Sequence, residues 1–263
     1  MGADMVVGVK IAAVQHDIHW MDKEQNYEHL SVFVKAAADE GAQLVVLSEM
    51  FATGFALGDR SVAQMVEPPE GPTTEFLRDQ AEINKVWVAG SIAIQTELST
   101  KPFNAFVFVS PTGEVHRYNK MYPFSFSGED NWFQAGDRSV VLNIHGLRVT
   151  PFVCYDLRFA NEFWNMALDT DVFIVSANWP QERRQHWMSL LSARAIENQC
   201  YVVGVNRVGT GGSLNYVGDS LIIDPNGVVL VDGIDSGESV LLADLDAQVV
   251  TSIRESFPVL RDR

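Results

Sequence analysis

Cysteine is nearly absent from this sequence: Cys154 and Cys200 are the only two in 263 residues. A disulfide framework is therefore excluded, and a reducing cytoplasm is the expected setting. Long apolar runs are missing as well. The longest, such as Leu44 to Leu47 and Phe106 to Val109, fall far short of the roughly 20 residues needed to cross a bilayer, so no transmembrane helix is expected. The first residues carry one early lysine, Lys10, and lead into Gln15-His16-Asp17, which is not the basic-then-apolar order of a secretion signal. Positive charge is scarce: 19 Lys and Arg face 34 Asp and Glu, a net charge of −15 at pH 7. Such a field repels phosphate backbones and anionic lipid heads, which argues against nucleic acid and membrane as partners. Repeats, low-complexity tracts and Gly/Ser linkers are also lacking. What is present, 47% hydrophobic and 20% charged residues, is the balance of a folded globule, and one domain over residues 1–263 is expected.

The apolar pattern alternates between strand and helix. Met5 to Val14 and Leu44 to Leu47 suit buried strands, and Asn26 to Ala38 between them spaces Tyr27, Leu30, Val34 and Ala37 for a helix that Gly41 stops. Strand, helix, strand is the signature of an α/β layer. Val86 to Ile94 and Phe103 to Val109 are strand-like, and the turn Pro111-Thr112-Gly113 sends the chain back through Glu114 to Lys120. Hairpins are expected at His145-Gly146 and at Asp224-Pro225-Asn226-Gly227, so the sheets are mixed. A helix from about Gln185 to Asn198 puts Trp187, Leu190, Leu191 and Ala195 on one side, and the strand Tyr201 to Val205 follows directly.

Three reactive side chains stand where strands end, which is where α/β proteins collect ligands: Glu49, Lys120 and Cys154. Glu49 follows Leu44 to Leu47, in surroundings expected to be apolar and suited to general-base work. Lys120 is flanked by Tyr118 and Tyr122 and halted by Pro123. Cys154 ends Val149 to Val153 and opens Tyr155-Asp156-Leu157-Arg158, a strand-to-helix elbow that exposes a side chain and offers backbone N–H groups to an oxyanion. Taken singly, each has a plainer reading: a strand-capping glutamate, a solvated lysine, a small buried cysteine.

Taken together and in this order, the blocks resemble the nitrilase, or carbon–nitrogen hydrolase, superfamily, whose members use a Glu-Lys-Cys set. The resemblance rests on Leu47-Ser48-Glu49-Met50-Phe51, Tyr118-Asn119-Lys120 and Val153-Cys154-Tyr155-Asp156-Leu157-Arg158-Phe159, and covers about Lys10 to Leu245. Ser176-Ala177-Asn178-Trp179-Pro180, His186-Trp187, Ala193 to Gln199 and Val205 to Gly209 are most similar to its omega-amidase branch. The resemblance implies a four-layer αββα sandwich, a second supporting glutamate at Glu129, homodimers formed through helices near the Cys154 elbow, and no cofactor. Many relatives carry His-Leu-Phe soon after the lysine. This chain has Met121-Tyr122-Pro123-Phe124-Ser125-Phe126 there instead, a loop expected to border the substrate.

The chemistry of the set is consistent with that family. A free thiol titrates near pH 8.5, so a base must take its proton during attack, and Glu49 is the expected base. Lys120 and the backbone N–H of Tyr155 would face the developing oxyanion, where one donor is worth about 3–4 kcal/mol of barrier. Glu129 would hold Lys120 or Glu49 by a charge-assisted hydrogen bond. The expected substrate is a small amide, best of all the terminal amide of a 2-oxo dicarboxylic acid. Its anionic end calls for Arg158 and for Arg183 or Arg184, and Phe51, Phe55, Phe124, Phe126 and Trp179 are candidates for a pocket wall. The same apparatus also suits a nitrile, through a thioimidate, or another aliphatic amide. A binding protein that keeps the fold without turnover would lack a member of the set, and all three are here.

Other features read plainly. Gly209-Thr210-Gly211-Gly212 lacks the lysine-serine ending of a phosphate loop, and the six histidines show no metal-ligand spacing, so no metal is expected. His186, near Trp179, is the one histidine to watch. Cys200 suits a packing position, and Arg194 with Glu197 an ion pair on one helix.

Overall fold

The computed structural model describes residues 8–263. Strand β1 (Val9–Gln15) leads through α1 (Lys23–Asp39) to β2 (Leu44–Val46), and α2 (Asp59–Met65) and α3 (Pro72–Asn84) precede β3 (Trp87–Ile94), β4 (Phe103–Val109) and β5 (Val115–Asn119). The expected strand beginning at Met5 thus starts at Val9, and Met5 to Val7 lie outside the described residues. A short α4 (Glu129–Trp132) is followed by β6 (Leu142–Ile144), β7 (Leu147–Val153), α5 (Ala160–Met166) and β8 (Val172–Ala177). Next come α6 (Arg184–Asn198), β9 (Tyr201–Asn206) and the hairpin β10 (Val208–Gly211) with β11 (Leu214–Val217). The chain closes with β12 (Leu221–Ile223), β13 (Val229–Asp232), β14 (Ser239–Leu245) and α7 (Ala247–Ser256).

Alternation along the strands sorts these elements into layers. In β1, Ile11 and Ala13 join a buried cluster with Phe152, Ile174 and Val203 of the opposite sheet. Ala12 and Val14, one residue out of phase, join Leu30 and Val34 of α1 and Leu77 of α3. A period of two therefore gives the first sheet one face for helices and one face for a second sheet. That sheet runs β14-β1-β2-β3-β4-β5, and its partner runs β13-β12-β9-β8-β7-β6. Helix α6 covers the partner with Trp187, Leu191 and Ala195, and burying a leucine of this kind stabilises the fold by about 1.5–3 kcal/mol. The result is a four-layer αββα sandwich.

Parallel pairing sets where the site falls. β1, β2 and β3 are parallel neighbours, as are β7, β8 and β9, so the carboxyl ends of β2, β7 and β8 open on one rim. β5 runs antiparallel to β4, which is itself antiparallel to β3. That double reversal brings the end of β5 to the same rim.

Candidate active site

Each reactive side chain sits at a strand end. Lys120 follows β5 directly and Cys154 follows β7, while Glu49 stands three residues beyond the last residue of β2. Met50, immediately after Glu49, has φ 47°, and Cys154 itself has φ 46°. A left-handed backbone at a residue with a side chain costs on the order of 1–3 kcal/mol and persists only where surrounding structure holds it. At Cys154 the holding groups are visible. Val153 N–H donates to Asp156 Oδ2 at 2.9 Å, and Arg194, buried on α6, donates from Nη2 to the Leu157 carbonyl at 2.7 Å. The Arg194 to Glu197 ion pair is present at 2.8 Å. The same arginine also clamps the elbow, which its spacing in the sequence did not reveal.

The expected apolar setting of Glu49 is not what surrounds it. Its Oε1 accepts from Lys120 Nζ at 3.0 Å and from Asn104 Nδ2 at 2.8 Å, and its Oε2 accepts from Asn178 N–H at 2.8 Å. Lys120 Nζ also donates to Glu129 Oε2 at 2.8 Å. Asn104 Nδ2 reaches Glu129 Oε1 at 3.2 Å, and Phe124 N–H donates to Glu129 Oε2. Glu129 thus binds Lys120 directly and meets Glu49 only through Lys120 and Asn104. All three charged groups are at most 1% exposed. One ammonium between two carboxylates leaves a buried cluster of net charge −1 when both acids are ionised, and such a cluster survives burial only because every oxygen finds a donor.

Cys154 shares a cavity with Glu49 and Lys120 and is partly accessible. Burial pushes its thiol well above the ordinary value, Glu49's charge raises it further, and Lys120 offsets only part of this. Glu129 and a hydrogen bond to Glu49 act in the same upward direction. The direction of this shift favours a protonated thiol beside the Glu49 carboxylate over a preformed thiolate. Lys120 is the converse: burial opposes its charge, but Glu129 and Glu49 outweigh that penalty and raise its pKa.

The cavity measures about 370 Å³. Phe55, Phe124 and Trp179 line it as expected, together with Tyr155, Arg158 and Arg183. Phe51 and Phe126 do not: Phe51 is packed in the core under α1 and α3, and Phe126 is 86% exposed. Arg184 is also excluded from the wall, because Asp219 engages it at 2.7 Å. Arg158 stacks over the Trp179 ring at 4.7 Å and approaches His186 Nδ1 at 3.3 Å, while Arg183 faces the Phe124 ring at 5.6 Å. Burial, and then the charge of Arg183, lower the Arg158 pKa. Among the described residues neither arginine is paired with a carboxylate.

Several wall residues escaped the sequence. Trp20, Leu214 and Tyr216 border the cavity, as do Gly211 and Gly212 of the β10–β11 hairpin. A Cβ on Gly211 would stand 2.6 Å from both the Trp20 ring and Arg207 Nη1, so this glycine-rich stretch lets a tryptophan close the rim. Asn104 did leave a signal: it is the single polar residue in Phe103-Asn104-Ala105-Phe106-Val107-Phe108-Val109. Trp20 left none.

Comparison with known proteins agrees with this geometry. The carbon–nitrogen hydrolase family model matches residues 10–255. Omega-amidase YafV of Escherichia coli (strain K12) is 36% identical over 257 residues, spanning 97% of this chain and 96% of the relative. The 2-oxoglutaramate amidase of Bacillus subtilis (strain 168) is 31% identical over 257 residues, 96% of each. Among solved structures, XC1258 from Xanthomonas campestris, a CN-hydrolase superfamily protein with an arsenic adduct in its active site, matches with a TM-score of 0.91 at 33% identity over 97% of both chains. A buried Glu-Lys-Glu cluster beside a strained cysteine, on a sandwich shared almost end to end with these proteins, leads to one conclusion: this chain belongs to the carbon–nitrogen hydrolase family and is a hydrolytic enzyme.

Proposed function

We propose that the enzyme hydrolyses the terminal amide of a small 2-oxo dicarboxylic acid monoamide, of the 2-oxoglutaramate kind, through an acyl-thioester on Cys154. The observation that carries this reading is what one cavity brings together. Glu49, Lys120 and Cys154 line it, and so do Arg158 and Arg183, which have no carboxylate partners among the described residues. Two unneutralised guanidiniums in a protein of net charge −15 form a site for a substrate carboxylate, which each can bind with paired N–H donors. The names of the two relatives above fit the same substrate class.

Glu49 takes the thiol proton as Sγ attacks the amide carbon, the C–S bond forms, and the carbonyl π pair moves onto oxygen. Lys120 Nζ and the N–H of Tyr155 face that oxyanion. The C–N bond breaks as Glu49 hands its proton to nitrogen, and ammonia departs. Water then enters, Glu49 takes one of its protons, and hydroxide adds to the thioester. The C–S bond breaks, and the proton returns to sulfur as the acid leaves. Glu129 keeps Lys120 charged and aimed throughout, while Phe124 and Trp179 exclude bulk water from the acyl group.

The test is ammonia release from 2-oxoglutaramate, from neutral aliphatic amides and from aliphatic nitriles, with rapid-quench mass spectrometry of the protein. Turnover of the 2-oxo acid amide, with the Cys154 peptide heavier by the substrate less ammonia, is the expected result. Turnover confined to nitriles, or an unmodified Cys154 during steady-state turnover, would overturn it.

A further inference from the structure

The cluster that holds Lys120 and the elbow that holds Cys154 belong to different sheets, and β5 and β7 share no ladder of backbone hydrogen bonds. Something else must set the distance between them. Asp156, two residues past Cys154 and fully buried, touches both sides. Its Oδ2 accepts from Val153 N–H at 2.9 Å, on the residue before the cysteine. The same oxygen accepts from Tyr118 Oη at 2.8 Å, and Oδ1 accepts from Tyr122 N–H at 2.9 Å. Tyr118 and Tyr122 flank Lys120 by two residues on either side. One carboxylate is thus bonded to the backbone entering the elbow and to the chain on both sides of Lys120.

We propose that Asp156 is a positioning residue, a polar tie between the two sheets that fixes Lys120 against Cys154 for attack on the substrate carbonyl. This rests on the roles assigned to Lys120 and Cys154 above. A misplacement of about 1 Å between reacting groups costs up to about 100-fold in rate, so the tie acts on the chemical step more than on binding. Apolar contacts alone do not replace it. Tyr122 stacks on Phe159 at 3.6 Å and Tyr118 meets Phe152 edge-on, but ring contacts permit sliding that three directed hydrogen bonds to one carboxylate do not.

The charge state of this tie matters because an ionised carboxylate accepts from all three donors, whereas a protonated one spends an oxygen on its own hydrogen. Burial pushes Asp156 up to about 7, against the pull of Lys120 and of its hydrogen bonds from Val153, Tyr118 and Tyr122. The ionisable groups around it are Lys120, Tyr118 and Tyr122 on the β5 side and Cys154 on the elbow, with Glu162 of α5 bonded to Tyr122 and Arg194 of α6 bonded to Leu157. Below pH 7 the tie is partly lost.

Asp156→Asn and Tyr118→Phe test the proposal on whichever substrate the wild type turns over. For Asp156→Asn, kcat falls about 10- to 100-fold with KM within about twofold of wild type. Its profile between pH 6 and pH 8 is flat, at about the wild type's acid-side rate, because the amide cannot ionise. Tyr118→Phe removes one of the three bonds to Asp156, together with the long bond that Met121 N–H donates to the hydroxyl at 3.4 Å, keeps the ring packing, and lowers kcat about three- to tenfold at unchanged KM. Wild-type kcat in Asp156→Asn, or a reduced kcat that still follows the wild-type pH profile, overturns the inference. Where Asp156→Asn does not fold, Tyr118→Phe decides, and an unchanged kcat there overturns it. If the wild type hydrolyses no amide or nitrile, the substrate reading fails instead. Alkylation of Cys154 by iodoacetamide then reads the tie, with an expected slowing of about tenfold or more in Asp156→Asn and an equal rate overturning it.

Discussion

Asn178, at the end of β8 in one sheet, is bonded twice to Glu49, beyond the end of β2 in the other. Its N–H donates to Glu49 Oε2 at 2.8 Å and its side-chain amide donates to the Glu49 carbonyl. Its own carbonyl lies 4.0 Å from Cys154 Sγ. A backbone donor of this kind holds the Glu49 carboxylate in position without neutralising it and leaves Oε1 to Lys120 and Asn104, which is the arrangement the proposed proton exchange with the thiol requires.

Removing the nucleophile gives the first prediction. Cys154→Ala abolishes ammonia release and leaves the thermal midpoint close to that of the wild type, because the thiol makes no strong hydrogen bond that the fold depends on. In the wild type, substrate and alkylating agents label Cys154 alone. Cys200 is fully buried, and burial pushes its thiol up to about 12. Peptide mapping after labelling checks this, and label on Cys200 would contradict it.

Glu49→Gln loses the proton acceptor in both half-reactions while its amide still reaches Lys120. A general base contributes about 10²–10⁴-fold, so single-turnover acylation and thioester hydrolysis both slow by that order. A variant that acylates at the wild-type rate and stalls only afterwards would assign the first proton transfer to another group.

Arg158→Met and Arg183→Met raise KM for a 2-oxo acid amide about 10- to 100-fold each, the worth of about 1.5–3 kcal/mol for a charged hydrogen bond. They leave kcat/KM for a neutral aliphatic amide nearly unchanged. Equal losses on both substrates would show that these arginines shape the wall and do not bind a carboxylate. Arg184→Met, whose parent side chain is engaged by Asp219, serves as the control with unchanged KM.

The thiol itself gives a pH prediction. Its pKa is raised by burial and by Glu49, so the protonated form persists at neutral pH and converts to thiolate only as pH climbs past the ordinary thiol value. Thiolate ultraviolet absorbance from Cys154 is therefore absent at pH 7, and its alkylation accelerates on the alkaline side. A thiolate signal at pH 7 that vanishes in Cys154→Ala would indicate a preformed ion pair with Lys120.

Much of this enzyme can be read along the chain. Periods of two and of 3.6 residues mark strands and helices because each element must bury one face, and Glu49 and Cys154 stand where apolar runs end; Lys120, which follows the polar stretch Val115-His116-Arg117-Tyr118-Asn119, is singled out only by the ordered Glu-Lys-Cys blocks that resemble the family. Local signals of this sort act between neighbours, so they survive in a one-dimensional text. The partners of those residues do not act locally. Asn104 lies 55 residues from Glu49, Asn178 lies 129 from it, and Trp20 meets Gly211 across most of the chain. The Asn104 bond exists because β2 and β4 are brought into one sheet on either side of β3, and the Asn178 bonds because a second sheet packs on the first; no pattern in the intervening residues encodes these distances. Tertiary packing likewise decided that Glu49 would be ringed by donors, that Arg183 would meet no carboxylate among the described residues while Arg184 found Asp219, and that one carboxylate at Asp156 would span both sheets.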